Sequence, residues 1–98
     1  DICASIQQRI ISILLNKLQK AARETGIKHL CLAGGVSANS GLRQAFTEMG
    51  KANGWHTHIP AFQYCTDNAG MIAMTAYYKF IEQQFSDLSV TASARAEW

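Results

Sequence analysis

Two short stretches carry the residue types that can do chemistry. The first, Leu32-Ala-Gly-Gly-Val-Ser-Ala-Asn-Ser40, sets two glycines between a short apolar run and a segment with helical spacing. Glycines at such a junction admit a nucleotide close to the backbone, and the following helix offers unpaired amides and a favourable dipole end to a phosphate. The pattern is neither GxGxxG nor GxxxxGK[ST], so a plain tight turn stays open beside nucleotide contact at Gly34 and Gly35. Asn39 can bridge donor and acceptor groups of a ribose or phosphate, and it can equally cap the helix.

The second stretch, Tyr64-Cys-Thr-Asp-Asn68, holds a single carboxylate. Asp67 can give one oxygen to a metal ion if the other ligands come from elsewhere, and it too can serve as a helix cap. His56 and His58 share a face if 55–59 is a strand, which makes a two-histidine metal pair conceivable. Solvated imidazoles on an exposed edge need no metal, however, and His29 reads as a boundary or surface residue. Neither HExxH nor a Ser/His/Asp arrangement can be assembled, so proteolysis has no local support.

The elements that must position these residues follow from hydrophobic spacing. Apolar residues at 2, 6, 10, 13, 14, 18, 21 and 22 recur helically from Ile2 to Arg23, and Ile11 and Leu15 widen the stripe so that this helix expects partners on two sides. Gly26 suits the left-handed position past its end. Lys28 to Ala33 reads as a strand covered on both faces and closed by the glycines. Ser37, Asn39 and Ser40 are candidate caps for a second helix. Leu42, Ala45, Phe46 and Met49 form its apolar face, with Arg43, Gln44, Thr47 and Glu48 on the polar one, and it stops near Asn53-Gly54. Trp55 to Ile59 is a second strand closed by Pro60. Thr66 or Asp67 caps a third helix with apolar positions 69, 72, 73, 76, 77, 80 and 81. From Ser86 the chain is a polar tail.

Two strands joined through a helix are parallel with a right-handed crossover, so the class is α/β, in the order α-β-α-β-α. Two short strands cannot cover three helical stripes, so further strands are expected upstream. The chain has 98 residues, 48% hydrophobic and 16% charged, which fits one domain at most. Nine Lys plus Arg against seven Asp plus Glu leave a net charge of +2, so bulk charge supports neither a nucleic-acid-coating protein nor a basic membrane helix. No apolar run reaches the roughly 18 residues of a membrane span, so a soluble protein without membrane contact is expected. The start at Asp1 reads as a cut inside a longer protein. Three cysteines without a CxxC pair argue for a reducing, cytoplasmic setting, with Cys3 and Cys31 expected as small buried hydrophobes.

Taken together, Ala33-Gly-Gly-Val-Ser-Ala-Asn-Ser-Gly-Leu-Arg43, Ile59-Pro60 and Cys65-Thr-Asp-Asn-Ala-Gly-Met-Ile-Ala73 resemble the TsaD family. These are tRNA N6-threonylcarbamoyladenosine transferases, formerly described as O-sialoglycoprotein endopeptidases or glycoproteases, with an actin-like, Hsp70-like ATPase fold. The resemblance runs the whole length. Asp1-Ile-Cys-Ala-Ser-Ile-Gln is similar to the start of a family helix, and Asp87-Leu-Ser-Val to Arg95-Ala-Glu-Trp98 resembles the family's closing segment. The chain is therefore expected to be the C-terminal portion, 1–98, of a TsaD-like second domain that reaches the natural C-terminus, with 86–98 as its tail.

The resemblance implies that Gly34, Gly35 and Asn39 touch the nucleotide of threonylcarbamoyl-AMP, or ATP or ADP. It implies that Asp67 ligates an iron or zinc ion whose histidine ligands lie in the other half of the parent. His56 and His58 lie in the wrong segment for that role. The implied partners are tRNA and the accessory subunits of a threonylcarbamoylation complex. The isolated chain is expected to be inactive and able to associate with itself. A non-catalytic scaffold paralogue, the older metalloprotease description and an unrelated nucleotide-binding module are the alternatives. The intact Cys-Thr-Asp-Asn speaks against the scaffold, which has no use for a metal ligand.

Overall fold

The computed structural model describes residues 1–94, which form two compact units, one from Asp1 to Asp67 and one from Asn68 onward. In the first unit, helix α1 spans Ile2–Thr25, strand β1 His29–Cys31, helix α2 Ser40–Asn53 and strand β2 His56–His58. Short 3-10 turns at Gly35–Ala38 and Phe62–Tyr64 follow the two strands. Helix α3, Ala69–Ile81, belongs to the second unit. The α/β class, the order α-β-α-β-α and the parallel pairing expected from the sequence are all present.

The caps explain where α1 runs. Asp1 accepts the Cys3 amide at 3.2 Å, and Gly26, at φ 71, turns left-handed and returns its N–H to the Ala22 carbonyl at 3.0 Å. β1 and β2 pair in parallel with His29 opposite His56, Leu30 opposite Thr57 and Cys31 opposite His58. Bonds from the His56 amide to the Lys28 carbonyl, 2.8 Å, and from the Leu32 amide to the His58 carbonyl, 2.9 Å, extend the ladder by a residue at each end.

Side chains alternate across that pair. Leu30 is buried and joins Ala22 of α1 and Phe46 of α2 in the core, with Leu15, Leu18, Leu32, Met49, Trp55 and Ile59 packed around them. The opposite sheet face carries His29, Cys31, His56 and His58, all exposed. This overturns the expectation of a strand covered on both faces. It also overturns the expected burial of two cysteines, because Cys3 and Cys31 are exposed and Cys65 is the buried one. Cys31 shares the parity of His29, and Cys3 lies in the first turn of α1, where every residue from 1 to 10 is exposed.

In α3, Asn68 occupies the cap, in extended conformation, and accepts the Met71 amide at 2.9 Å. The expected cap at Thr66 or Asp67 is thus displaced by one or two residues, because the helix begins only at Ala69 and capping falls to the residue just before it. No residue of α3 is buried. Beyond it, Asp87 accepts bonds from the hydroxyl and amide of Ser89, which hold its carboxyl below the ordinary 3.8. Arg95 to Trp98, part of the expected tail and closing segment, lie outside the described residues. Among the described residues no helix is long and apolar enough to cross a membrane.

Candidate functional site

The glycine turn sits at the carboxyl end of β1, where open parallel sheets bind ligands. Gly34 adopts φ 83 and ψ 172, a region essentially restricted to glycine. The turn closes through the Ser37 amide to the Gly34 carbonyl, 2.9 Å, and the Asn39 amide to the Val36 carbonyl, 3.0 Å. Gly35 differs from Gly34. Its backbone is ordinary and a Cβ there would meet nothing within 4 Å, so packing within this chain gives no reason for a glycine. The space over Gly35 is open to whatever approaches from outside.

Asn39 caps α2, its Oδ1 accepting the Leu42 amide at 2.9 Å. Its Nδ2 donates to Gln7 Oε1 at 3.3 Å and ties the start of α2 to α1. An amide side chain has two N–H groups and two lone pairs, and these bonds use one of each. The cap is therefore real and leaves one donor and one acceptor for a ligand. Beside it lies a groove of about 390 Å³ between α1 and the turn, apolar along Ile6, Ile10 and Val36, with Gln7 and Asn39 as polar members.

Asp67 is exposed and follows Cys65 by two residues. With the cap position taken by Asn68, its carboxylate is not committed to a helix end. Among the described residues the ion pair found is Lys20 with Glu24, and Asp67 has no such partner. An exposed carboxylate outside any ion pair or cap fits one oxygen ligand of a metal ion. The described residues contain no group of three or more His, Cys, Asp or Glu able to hold a metal, so any further ligands must come from outside them.

Sequence reasoning placed Arg43 on the polar face of α2, and the structure turns it inward. Its Nε donates to the Ser37 carbonyl at 2.9 Å, and its Nη2 donates to the Pro60 carbonyl and lies 3.8 Å from Cys65 Sγ. Its guanidinium also lies 5.0 Å from the centre of the Phe62 ring. The glycine turn and the loop leading to Asp67 are joined through this one side chain. A spacing of four from Asn39, one turn along the same helix face, was the available signal. Ser37, expected as a candidate cap of α2, leaves that position to Asn39; it is fully buried, and its hydroxyl has no hydrogen-bond partner.

The histidines do not join this site. His29 stacks on His56 with ring centres 4.6 Å apart, and its Nδ1 lies 3.3 Å from His58 Nε2. One nitrogen of each of these two rings is engaged in that contact, and among the described residues no third ligand completes a metal group.

The family described as TsaD: tRNA N6-adenosine threonylcarbamoyltransferase matches residues 1–74. The chain belongs to the TsaD family. The matched span includes both glycines, Asn39, Arg43 and Asp67. Proteins named tRNA N6-adenosine threonylcarbamoyltransferase are similar to it along nearly its whole length. The one from Riemerella anatipestifer is 56% identical over 97 residues, 99% of this chain and 28% of that protein. The one from Christiangramia forsetii is 54% identical over 95 residues, 97% of this chain and 28% of that protein. The more distant one from Carboxydothermus hydrogenoformans is 41% identical over 92 residues, 94% of this chain and 28% of that protein. The TsaD-type chain thus spans just over a quarter of the length of these relatives.

Proposed function

We propose that this chain is the C-terminal portion of the second, actin-like domain of a tRNA N6-adenosine threonylcarbamoyltransferase, and that it supplies the nucleotide cradle and one metal ligand of the active site. The names of its relatives support the activity, and the residues support the division of labour. In this reading Gly34 and Gly35 let the adenylate approach the backbone at the start of α2. Asn39 uses its spare donor and acceptor on the nucleotide.

The parent moves a threonylcarbamoyl group from its adenylate to the exocyclic N6 of the adenine 3′ of the anticodon. The amine nitrogen bonds to the carbamoyl carbon, the bond from that carbon to the phosphate oxygen breaks, the amine gives up a proton, and AMP leaves. Gly34 and Gly35 hold the leaving nucleotide in place. Asp67 serves as an oxygen ligand for iron or zinc and not as a general base. The chemistry such an ion supplies when bound is polarisation of a carbonyl and stabilisation of negative charge. The substrate is tRNA, the partners are accessory subunits of a threonylcarbamoylation complex, and the setting is the cytoplasm.

The single observation that carries this reading is the release of Asp67 from helix capping, which leaves a free carboxylate at the end of the loop tied to the glycine turn. Asp67→Ala in the full-length parent is expected to abolish transfer and lower bound metal while leaving thermal unfolding intact. Equal metal content and activity in variant and parent overturn it.

A further inference from the structure

We propose that Arg43 is a positioning residue, which sets the distance between the glycine turn and the Asp67 loop. This rests on the assignment of nucleotide contact to the turn and metal ligation to Asp67. Beyond β2 the chain from Pro60 to Cys65 has no strand partner. It is closed on itself by the Tyr64 amide on the Ala61 carbonyl, 2.9 Å, the Cys65 amide on the Phe62 carbonyl, 3.2 Å, and Cys65 Sγ on the Ala61 carbonyl, 3.7 Å. Such a loop is internally firm, and it can still tilt as one piece about Pro60.

Arg43 opposes that tilt from three directions. Nε holds the Ser37 carbonyl, at the far end of the turn that Gly34 begins. Nη2 holds Pro60 and Cys65, the two ends of the loop, and Cζ lies over the ring of Phe62 between them. A planar fork with separate N–H donors at Nε and Nη2 serves the turn and the loop at once. A lysine ammonium has a single nitrogen and no Nε donor along its stem, so it cannot reproduce both contacts. Half-buried on the first turn of the capped helix α2, Arg43 has a fixed base from which to act.

The chemical consequence is geometric. In a group transfer, the acyl carbon and the departing phosphate must keep their relative position through the transition state, and a displacement near 1 Å can cost about 10²-fold in rate. The turn holds the phosphate side and Asp67 the acyl side, so a tilt of the loop separates them without emptying either subsite.

The test uses the full-length parent with its metal, assayed with threonylcarbamoyl-AMP and unmodified tRNA. Arg43→Met and Arg43→Lys are each expected to lower kcat by about 10²-fold, with KM for both substrates changed less than about threefold. Bound metal should stay at the parent's level. A second readout is amide hydrogen exchange, which should accelerate at Tyr64 and Cys65 while α2 keeps its protection. Should Arg43→Met fold poorly, the milder Arg43→Lys carries the comparison. A kcat within threefold of the parent in a folded Arg43→Lys overturns the proposal, as does a loss that matches the unfolded fraction. Asp67→Ala is run alongside. If it loses transfer while the Arg43 variants keep it, this proposal alone fails. If all keep it, the assignment of Asp67 falls and takes this proposal with it.

Discussion

Gly50 of α2 lies against Thr57 of β2 so closely that a Cβ on the glycine would collide with Thr57 Cγ2. Helix and strand meet here backbone to side chain, which is how α2 settles over Leu30. Gly50→Ala improves helix propensity by about 1 kcal/mol, and the collision outweighs it. The expected net effect is a destabilisation of about 1 to 3 kcal/mol, measured by denaturant unfolding. Thr57→Ser, which removes Cγ2, should recover most of the loss in the double variant. Additive losses would show that the contact is not the cause.

Ser37 gives the opposite expectation. Its buried hydroxyl has no partner, so Ser37→Ala removes a desolvation cost and should raise stability by about 1 kcal/mol. The backbone carbonyl that Arg43 uses is unaffected by the change. A lower unfolding midpoint would show that a bound water or ligand group satisfies the hydroxyl.

Asn39 has two roles that separate by substitution. Asn39→Ala should cost about 1 kcal/mol of stability through the lost cap, and in the parent it should also weaken binding of AMP. Serine caps almost as well but has no amide, so Asn39→Ser should recover the stability and not the affinity. Recovery of both would leave Asn39 a cap and nothing more.

The two glycines differ in the same way. Gly34→Ala forces a side chain into a glycine-only backbone region and should cost about 1 to 3 kcal/mol. Gly35→Ala meets open space and should leave the unfolding midpoint within about 0.5 kcal/mol of the parent. Its effect should appear in AMP affinity of the full-length protein, lowered about tenfold, read by calorimetry. An unchanged affinity would remove Gly35 from the cradle.

The 98-residue chain by itself should self-associate and show no transfer. Ile2, Ile6 and Ile10 of α1 are more than half exposed, α3 is bare along Ile72, Tyr77 and Phe80, and both strands are edges among the described residues. Sedimentation velocity should show a coefficient that rises with concentration. A constant monomer value would show that the fragment closes its own core.

The helices were legible because their apolar residues repeat at helical spacing, and α1 and α2 end at glycines where left-handed caps are expected. The strands and their parallel pairing followed from the helix between them. The third cap was not legible. Thr66, Asp67 and Asn68 are all competent caps, and only the position of Ala69 as first helical residue decides among them. The cysteines were misread although the signal was present, since Cys31 alternates with Leu30 and Leu32 and so falls on the histidine face. In the site, the glycine turn and Asp67 were visible as residue types. Arg43 was hidden because its long side chain leaves the polar face of α2 and reaches back over residues far along the chain.

Within the wide stripe of α1 runs one row, Ile2, Ile6, Ile10, Leu14, Leu18 and Ala22, each four residues after the last. Four residues turn a helix by about 400°, so the row drifts by about 40° per step and winds roughly 200° from first to last. It therefore begins at Ile2, 77% exposed, and ends at Ala22 inside the core. A helix whose own four-residue ridge seated in the grooves beside the outer half would cross α1 at about −50° instead of lying along it. With that winding, a layer packed on the outer half would stand obliquely to the one that covers Ala22.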